Sequence, residues 1–138
     1  MKLRIMIIDA HPVFALRTQG FLGSMGLEEA EIVSKGDLAL EIFSKSPAQL
    51  IILSETLPDA QSLDIAKAII RQSPRSAVIV QTGLLVTPQR LEEFRIAGVS
   101  SCVARREKNW EEFEAAVYQA LDRLNQGSNK FTKVQVRS

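Results

Sequence analysis

The sequence predicts an α/β domain, a five-stranded parallel sheet flanked by five helices in three layers. Three observations carry that prediction. Five short apolar runs alternate with five segments of helical periodicity along the chain. The runs are apolar at consecutive positions instead of every second one, which suits strands covered on both faces. The chain has 138 residues, 46% of them hydrophobic, enough for one core and little more.

The elements follow in order. Leu3 to Ile8 is the first strand, and Pro12 suits the first position of a helix carrying Val13, Phe14, Phe21, Leu22 and Met25. The pattern breaks at Gly26. Ala30 to Val33 forms a short second strand, and Asp37 is expected to cap a helix through Leu38, Ile42 and Phe43 that ends near Pro47. Leu50 to Leu53 is the third strand. A stripe of Leu63, Ala66 and Ile70 marks the next helix, which stops before Ser73-Pro74 because a residue preceding proline avoids the helical region. Ala77 to Val80 is the fourth strand. Thr87-Pro88 starts a helix with Leu91 and Phe94, closed by Gly98 in the left-handed conformation, and Val99 to Ala104 is the fifth strand. In the last helix Asn109 and Glu112 form a capping pair, Phe113, Val117, Leu121 and Leu124 form the stripe, and Gly127 ends it. Residues 1 to 126 are read as one domain and residues 127 to 138 as a linker or flexible tail.

Composition narrows the function. A formal net charge of +1 gives no general attraction to nucleic acid, so direct nucleic-acid binding by this domain is not expected. No apolar run approaches the roughly 20 residues of a membrane span, and the apolar run after Met1 is too short for a secretory signal, so a cytoplasmic protein is expected. The single cysteine, Cys102, excludes an internal disulfide and a cysteine-based metal cluster.

In parallel sheets of this kind ligands bind outside the carboxyl ends of the strands. The residues there are Asp9 and Ala10, Ser54 and Glu55, Thr82 and Gly83, and Arg105. With their neighbours, Asp9-Ala10-His11-Pro12, the stretch LIILSETLPD from Leu50, Val80-Gln81-Thr82-Gly83 and the segment from Gly98 to Arg105, they resemble in order and spacing the receiver domains of two-component response regulators. The His-Pro pair resembles receivers that precede a LuxR-type helix-turn-helix. The resemblance covers residues 3 to about 126 and implies the flavodoxin-like, CheY-like three-layer sandwich.

It also implies a set of site residues. Working receivers carry two adjacent acids after the first strand, a phosphoacceptor aspartate after the third, a Thr or Ser after the fourth and a lysine after the fifth. The acids hold Mg²⁺, and the hydroxyl and the lysine hold the phosphoryl oxygens. Asp9 matches the first acid and Thr82 the hydroxyl, whereas Ala10, Ser54 and Arg105 depart from the pattern. Mg²⁺ needs hard oxygen ligands, and two of three expected carboxylates are replaced by a methyl and a hydroxyl. A serine without an adjacent base or metal is a poor nucleophile. The sequence therefore reads as a degenerate receiver with no catalytic residue, no metal and no cofactor.

Each residue has a specific expectation. Ser54 caps the strand end, and Glu55, its neighbour on an extended chain, points away from it into solvent. Asp9, left without metal or partner acids, calls for a cation. Arg105 can grip it with two hydrogen bonds, or else swing to solvent beside Arg106. Thr82 is a strand-end residue, Cys102 inert packing, and His11 the start of the first helix. The face of the fourth helix, fifth strand and last helix, with Arg90, Glu93, Arg95, Arg106, Trp110 and Glu114, corresponds to a common dimer or partner surface of the family. Trp110 is either an interface anchor there or local packing.

The expected function is a phosphorylation-independent protein interaction module, not an enzyme, in bacterial signalling or transcriptional control. Its expected partner is a second copy through the last helix and neighbouring elements. The chain either stands alone or precedes a DNA-binding output domain. The alternative is a small-molecule sensor whose vacated acidic pocket binds a ligand.

Overall fold

The computed structural model describes residues 3 to 128. Its elements run β1 (Ile5–Ile8), α1 (Pro12–Ser24), β2 (Glu31–Val33), α2 (Gly36–Lys45), β3 (Leu50–Ser54), α3 (Ser62–Gln72), β4 (Ala77–Thr82), α4 (Pro88–Ala97), β5 (Ser101–Ala104) and α5 (Glu111–Ser128). The five strands are parallel in the order β2-β1-β3-β4-β5.

The consecutive apolar runs divide their side chains between two cores, as strand geometry requires. Ile5, Ile7, Leu50, Ile52, Ala77 and Ile79 join the core under α1 and α5, where Leu22, Phe113, Val117 and Leu121 meet them. Met6, Ile8, Ile51, Leu53, Val78 and Val80 face the opposite way, toward Phe43 of α2, Ile65 and Ile69 of α3, and Phe94 of α4. Burial at every central-strand position explains why no alternation was visible in the sequence.

Most element boundaries hold to within two residues, and the departures have local causes. β3 and β4 extend to Ser54 and Thr82, and this carries their polar ends into the sheet's ladder. Asp37 does not cap α2. The Asp59 carboxylate, from the loop after β3, accepts from Gly36 N at 3.0 Å and Asp37 N at 3.1 Å. Those donors hold the Asp59 carboxyl below its ordinary value of 3.8, the Gly36 bond contributing most. Gly36 is required here, since a Cβ would lie 3.0 Å from both Ala60 Cβ and Ile65 Cδ1.

The capping pair on α5 is also displaced. Asn109 adopts φ 61°, in the left-handed region that Asn tolerates, and Trp110 O accepts the first helical bond from Glu114 N. Asn109 thus precedes the cap, its Oδ1 only 3.4 Å from Glu111 N. Thr87 and Gly98 bound α4 as expected, with Arg90 N donating to Thr87 Oγ1 and Gly98 at φ 101°. α5 runs one residue past Gly127, and the rest of the expected tail, 129 to 138, lies outside the described residues. Val13, expected in the α1 core stripe, is exposed, because Phe14, Ala15, Thr18 and Leu22 form the buried face. In α3 the buried stripe is Ile65, Ala66 and Ile69, flanked by the half-buried Leu63 and Ile70.

Candidate functional site: an arginine bridge between strand ends

The chain order reverses beside β1, whose sheet neighbours are β2 and β3, and a crevice at the carboxyl ends of β1 and β3 is the expected ligand position. Asp9 directly follows β1 and is tied to β2 by its own N–H, which donates to Val33 O at 3.0 Å. Ser54 ends β3 and Arg105 follows β5. One guanidinium nitrogen joins all three: Arg105 Nη2 donates to Asp9 Oδ2 at 2.8 Å and to Ser54 Oγ at 3.0 Å. Of the two readings of Arg105, the structure adopts the contact with Asp9, but through one hydrogen bond instead of the expected two, since the same nitrogen also bonds Ser54.

Several other bonds hold this arrangement. The Asp9 side chain is only 1% exposed and that of Arg105 26%, so the carboxylate is dry and depends on its partners. Asp9 Oδ1 accepts from His11 N at 2.9 Å, while His11 Nδ1 accepts from Phe14 N at 3.1 Å and so caps α1. The Arg105 Cζ lies 4.1 Å from the Phe14 ring centroid, a cation–π contact, and Arg105 N donates to the Thr82 carbonyl at 2.7 Å. Ser54 Oγ donates to Thr56 O at 3.1 Å and accepts from Thr56 N at 3.3 Å, so it closes the turn after β3 as well as meeting the arginine.

The donor set does not fit a divalent metal. Among the described residues no cluster of three metal-ligating side chains is present: Asp9 already bonds a guanidinium, Ala10 presents a methyl group, and the Ser54 hydroxyl takes a hydrogen bond from the same cation. Two positive charges competing for one carboxylate repel each other, and Mg²⁺ draws its affinity from hard anionic oxygens. Nor is Ser54 activated: its oxygen faces a cation where a nucleophile requires a base.

Glu55 corrects an expectation. Solvent does not surround it, because the loop after β4 and the start of α4 lie against it. Its Oε1 accepts from Gly83 N at 2.9 Å and its Oε2 lies 3.9 Å from Arg90 Nε, tying the loop after β3 to the start of α4. Thr82 is buried at the end of β4. Cys102 is half-buried against the core beneath α4, and burial together with the Glu55 charge pushes its thiol up to about 11.

Of the two readings of Trp110, the structure shows the packing one. The Trp110 ring lies 5.3 Å from Phe14, 5.2 Å from Phe21 and 5.3 Å from Phe113, and its Nε1 donates to Arg106 O at 3.1 Å. The half-buried tryptophan closes the end of the core under α1 and α5. The charged residues of the same face largely satisfy one another. Arg95 binds Glu92 through two nitrogens at 2.8 and 2.6 Å, Arg90 lies 3.5 Å from Glu93, and Arg106 lies 3.5 Å from Glu112. Glu114 is half-buried in the first turn of α5. Sequence reasoning missed Phe14 as the platform for Arg105; its position one turn into the helix after Asp9 was the available signal.

No family model matches the chain, and no curated protein matches it in sequence. Solved structures do. The signal receiver domain assigned to a Luxo repressor protein of Vibrio parahaemolyticus superimposes with a TM-score of 0.81 at 19% identity, over 91% of this chain and 95% of that one. A CheY-like response regulator receiver domain protein from Methanospirillum hungatei JF-1 gives 0.78 at 16% identity, over 92% and 100%. A LuxR-family two-component response regulator from Aurantimonas sp. SI85-9A1 gives 0.76 at 15% identity, over 88% and 87%. Among the described residues no helix is long and apolar enough to cross a membrane. With its strand order, its site at the switch point and these superpositions, the chain has the fold of a response-regulator receiver domain.

Proposed function

We propose that this domain is a receiver that works without aspartyl phosphorylation, as a protein interaction module held in one state by its own arginine. The observation that carries the reading is the Arg105 bridge, in which one guanidinium neutralises Asp9 and bonds Ser54, where a phosphoacceptor would stand. In a switching receiver, charge arriving at this crevice shifts a two-state equilibrium. Here a fixed cation supplies the attraction permanently, and nothing remains for a phosphoryl group to change. The domain is not an enzyme in this reading, and it acts in bacterial signal transduction or transcriptional control through self-association.

The alternative, a small-molecule sensor, is favoured by one feature. The acidic pocket itself is filled by Arg105, but a groove of about 380 Å³ opens beside it, between the start of α1 and the loops after β4 and β5. A thermal-shift screen with anionic metabolites to millimolar concentration separates the two: a saturable rise in melting temperature supports the sensor, and a flat response supports the interaction module.

The main reading is tested by incubation with acetyl phosphate and Mg²⁺ followed by intact mass measurement. The wild-type chain gains no phosphoryl adduct. Ser54→Asp alone gains none either, since Ala10 and Arg105 still oppose the metal. Ala10→Asp, Ser54→Asp and Arg105→Lys together acquire one. A wild-type adduct overturns the reading.

A further inference from the structure

β4 carries a polar side chain inside the core. Gln81 is 3% exposed, and by the alternation of the strand it falls on the same face as Ile79, beneath α1 and α5. Its register partners are Ser54 on β3 and Val103 on β5, so it stands next to the serine that bonds Arg105. Half of its amide is accounted for. Gln81 Nε2 donates to Thr18 Oγ1 at 3.4 Å, and that hydroxyl in turn donates to Phe14 O at 3.1 Å. With its hydrogen committed to Phe14 O, Thr18 can only accept from the amide, and turning the amide over would set two acceptors against each other. The orientation is therefore fixed. Among the described residues Gln81 Oε1 has no hydrogen-bond partner, although it is buried.

A buried amide oxygen left dry is costly, and proteins seldom leave one so. Gln81 also lines a small cavity with Phe14, Arg105, Trp110 and Phe113, in which about 10 Å³ is open to the centre of a water molecule. That is room for one water and too little for a metabolite or a hydrated ion. A donor is at hand as well. The nitrogen that holds Asp9 and Ser54 is one of three on the Arg105 guanidinium, and the others carry N–H groups of their own.

We infer that one ordered water sits in this cavity, donating to Gln81 Oε1 and accepting from an Arg105 side-chain N–H, and that Gln81 is thereby a positioning residue for the arginine bridge. The water satisfies the buried oxygen, and it gives the guanidinium, already bonded at the ends of β1 and β3, a hold on the β4 side chain. The aromatic rings of Phe14, Trp110 and Phe113 wall the site, so the water exchanges slowly with solvent. This role rests on the bridge of the proposed reading but not on the absence of phosphorylation, which the acetyl phosphate experiment tests separately.

NMR of the full chain tests this, with Gln81→Met, which keeps the length of the side chain and drops both polar groups. In wild type, cross-relaxation from water reaches the Arg105 side-chain N–H and the Gln81 amide, and the Arg105 N–H exchanges slowly with solvent. In Gln81→Met the water signal at Arg105 is lost, its N–H exchange quickens roughly tenfold, and the melting temperature falls. Ile79→Val, on the same face of β4, also lowers the melting temperature but leaves the Arg105 signals unchanged. A rise in the melting temperature of Gln81→Met overturns the inference, because removing a dry, unsatisfied acceptor stabilises. Unchanged Arg105 exchange in that variant overturns it too. Should Gln81→Met fail to fold, the wild-type spectrum decides alone, since absence of water signals at Arg105 and Gln81 overturns the site. Wild-type Arg105 exchange as fast as that of a free guanidinium overturns the bridge itself and the reading built on it.

Discussion

Truncating Arg105 to alanine removes two hydrogen bonds and the cation over Phe14, and it leaves Asp9 at the strand ends with His11 N as its donor. Breaking a fully buried ion pair costs about 3 to 5 kcal/mol, most of it from the charge left behind. Two features reduce that figure. Arg105 is a quarter exposed, so water reaches Asp9 once the side chain is gone, and the His11 bond remains. Loss of the cation–π contact adds about 1 kcal/mol. The net expectation is destabilisation of about 2 to 4 kcal/mol, or a fall in melting temperature of roughly 3 °C per kcal/mol for a domain of this size. Urea unfolding of wild type, Arg105→Ala, Asp9→Ala and the double variant measures the coupling, expected at about 1.5 to 3 kcal/mol. Arg105→Met, which keeps the stem on Phe14 without the charge, assigns the loss to electrostatics if it falls close to Arg105→Ala. A single variant within 0.5 kcal/mol of wild type, about the usual scatter of surface substitutions, or a strictly additive double variant, refutes the bridge as a structural element.

Other consequences follow from the same structure. Asp59→Ala removes the cap of α2 and lowers stability at neutral pH. Because the folded carboxyl titrates below 3.8, its contribution is fully present above that pH and fades as pH falls through the lower folded value, so wild type and variant converge in strong acid by urea unfolding. Gly36→Ala destabilises by about 1 to 3 kcal/mol by forcing α2 from α3, whereas Gly20→Ala on α1, with open space around its Cβ, stabilises by about 0.5 to 1 kcal/mol. With its thiol raised to about 11, Cys102 reacts with a thiol reagent at pH 8 at about a hundredth of the rate of free cysteine, and at the full rate in denaturant. A native rate equal to that of free cysteine contradicts the burial argument.

The sheet and its helices were legible because a central parallel strand leaves an unbroken apolar run and because Pro12 and Thr87-Pro88 mark helix starts locally. The strand ends were legible too, so Asp9, Ser54, Thr82 and Arg105 could be placed around one crevice before any coordinates. What escaped depended on contacts distant in sequence. Asp59 caps α2 from 22 residues away, and Asp37, the local candidate, gave no sign of that. Glu55 was read from the alternation of its own strand, while its partners, Gly83 and Arg90, sit on another loop and helix. Trp110 lies among charged residues in sequence, and only the approach of α1 brings Phe14 and Phe21 over its ring.

In the proposed reading a built-in guanidinium holds the crevice in one state and leaves it deaf to phosphoryl chemistry. The most direct test records two-dimensional amide NMR spectra of the chain with and without Mg²⁺ and beryllofluoride. We expect superimposable spectra, with no shifts at Asp9, Ser54, Thr82 or Arg105 and none across α4. Saturable shifts at those strand ends that spread into α4 would contradict it.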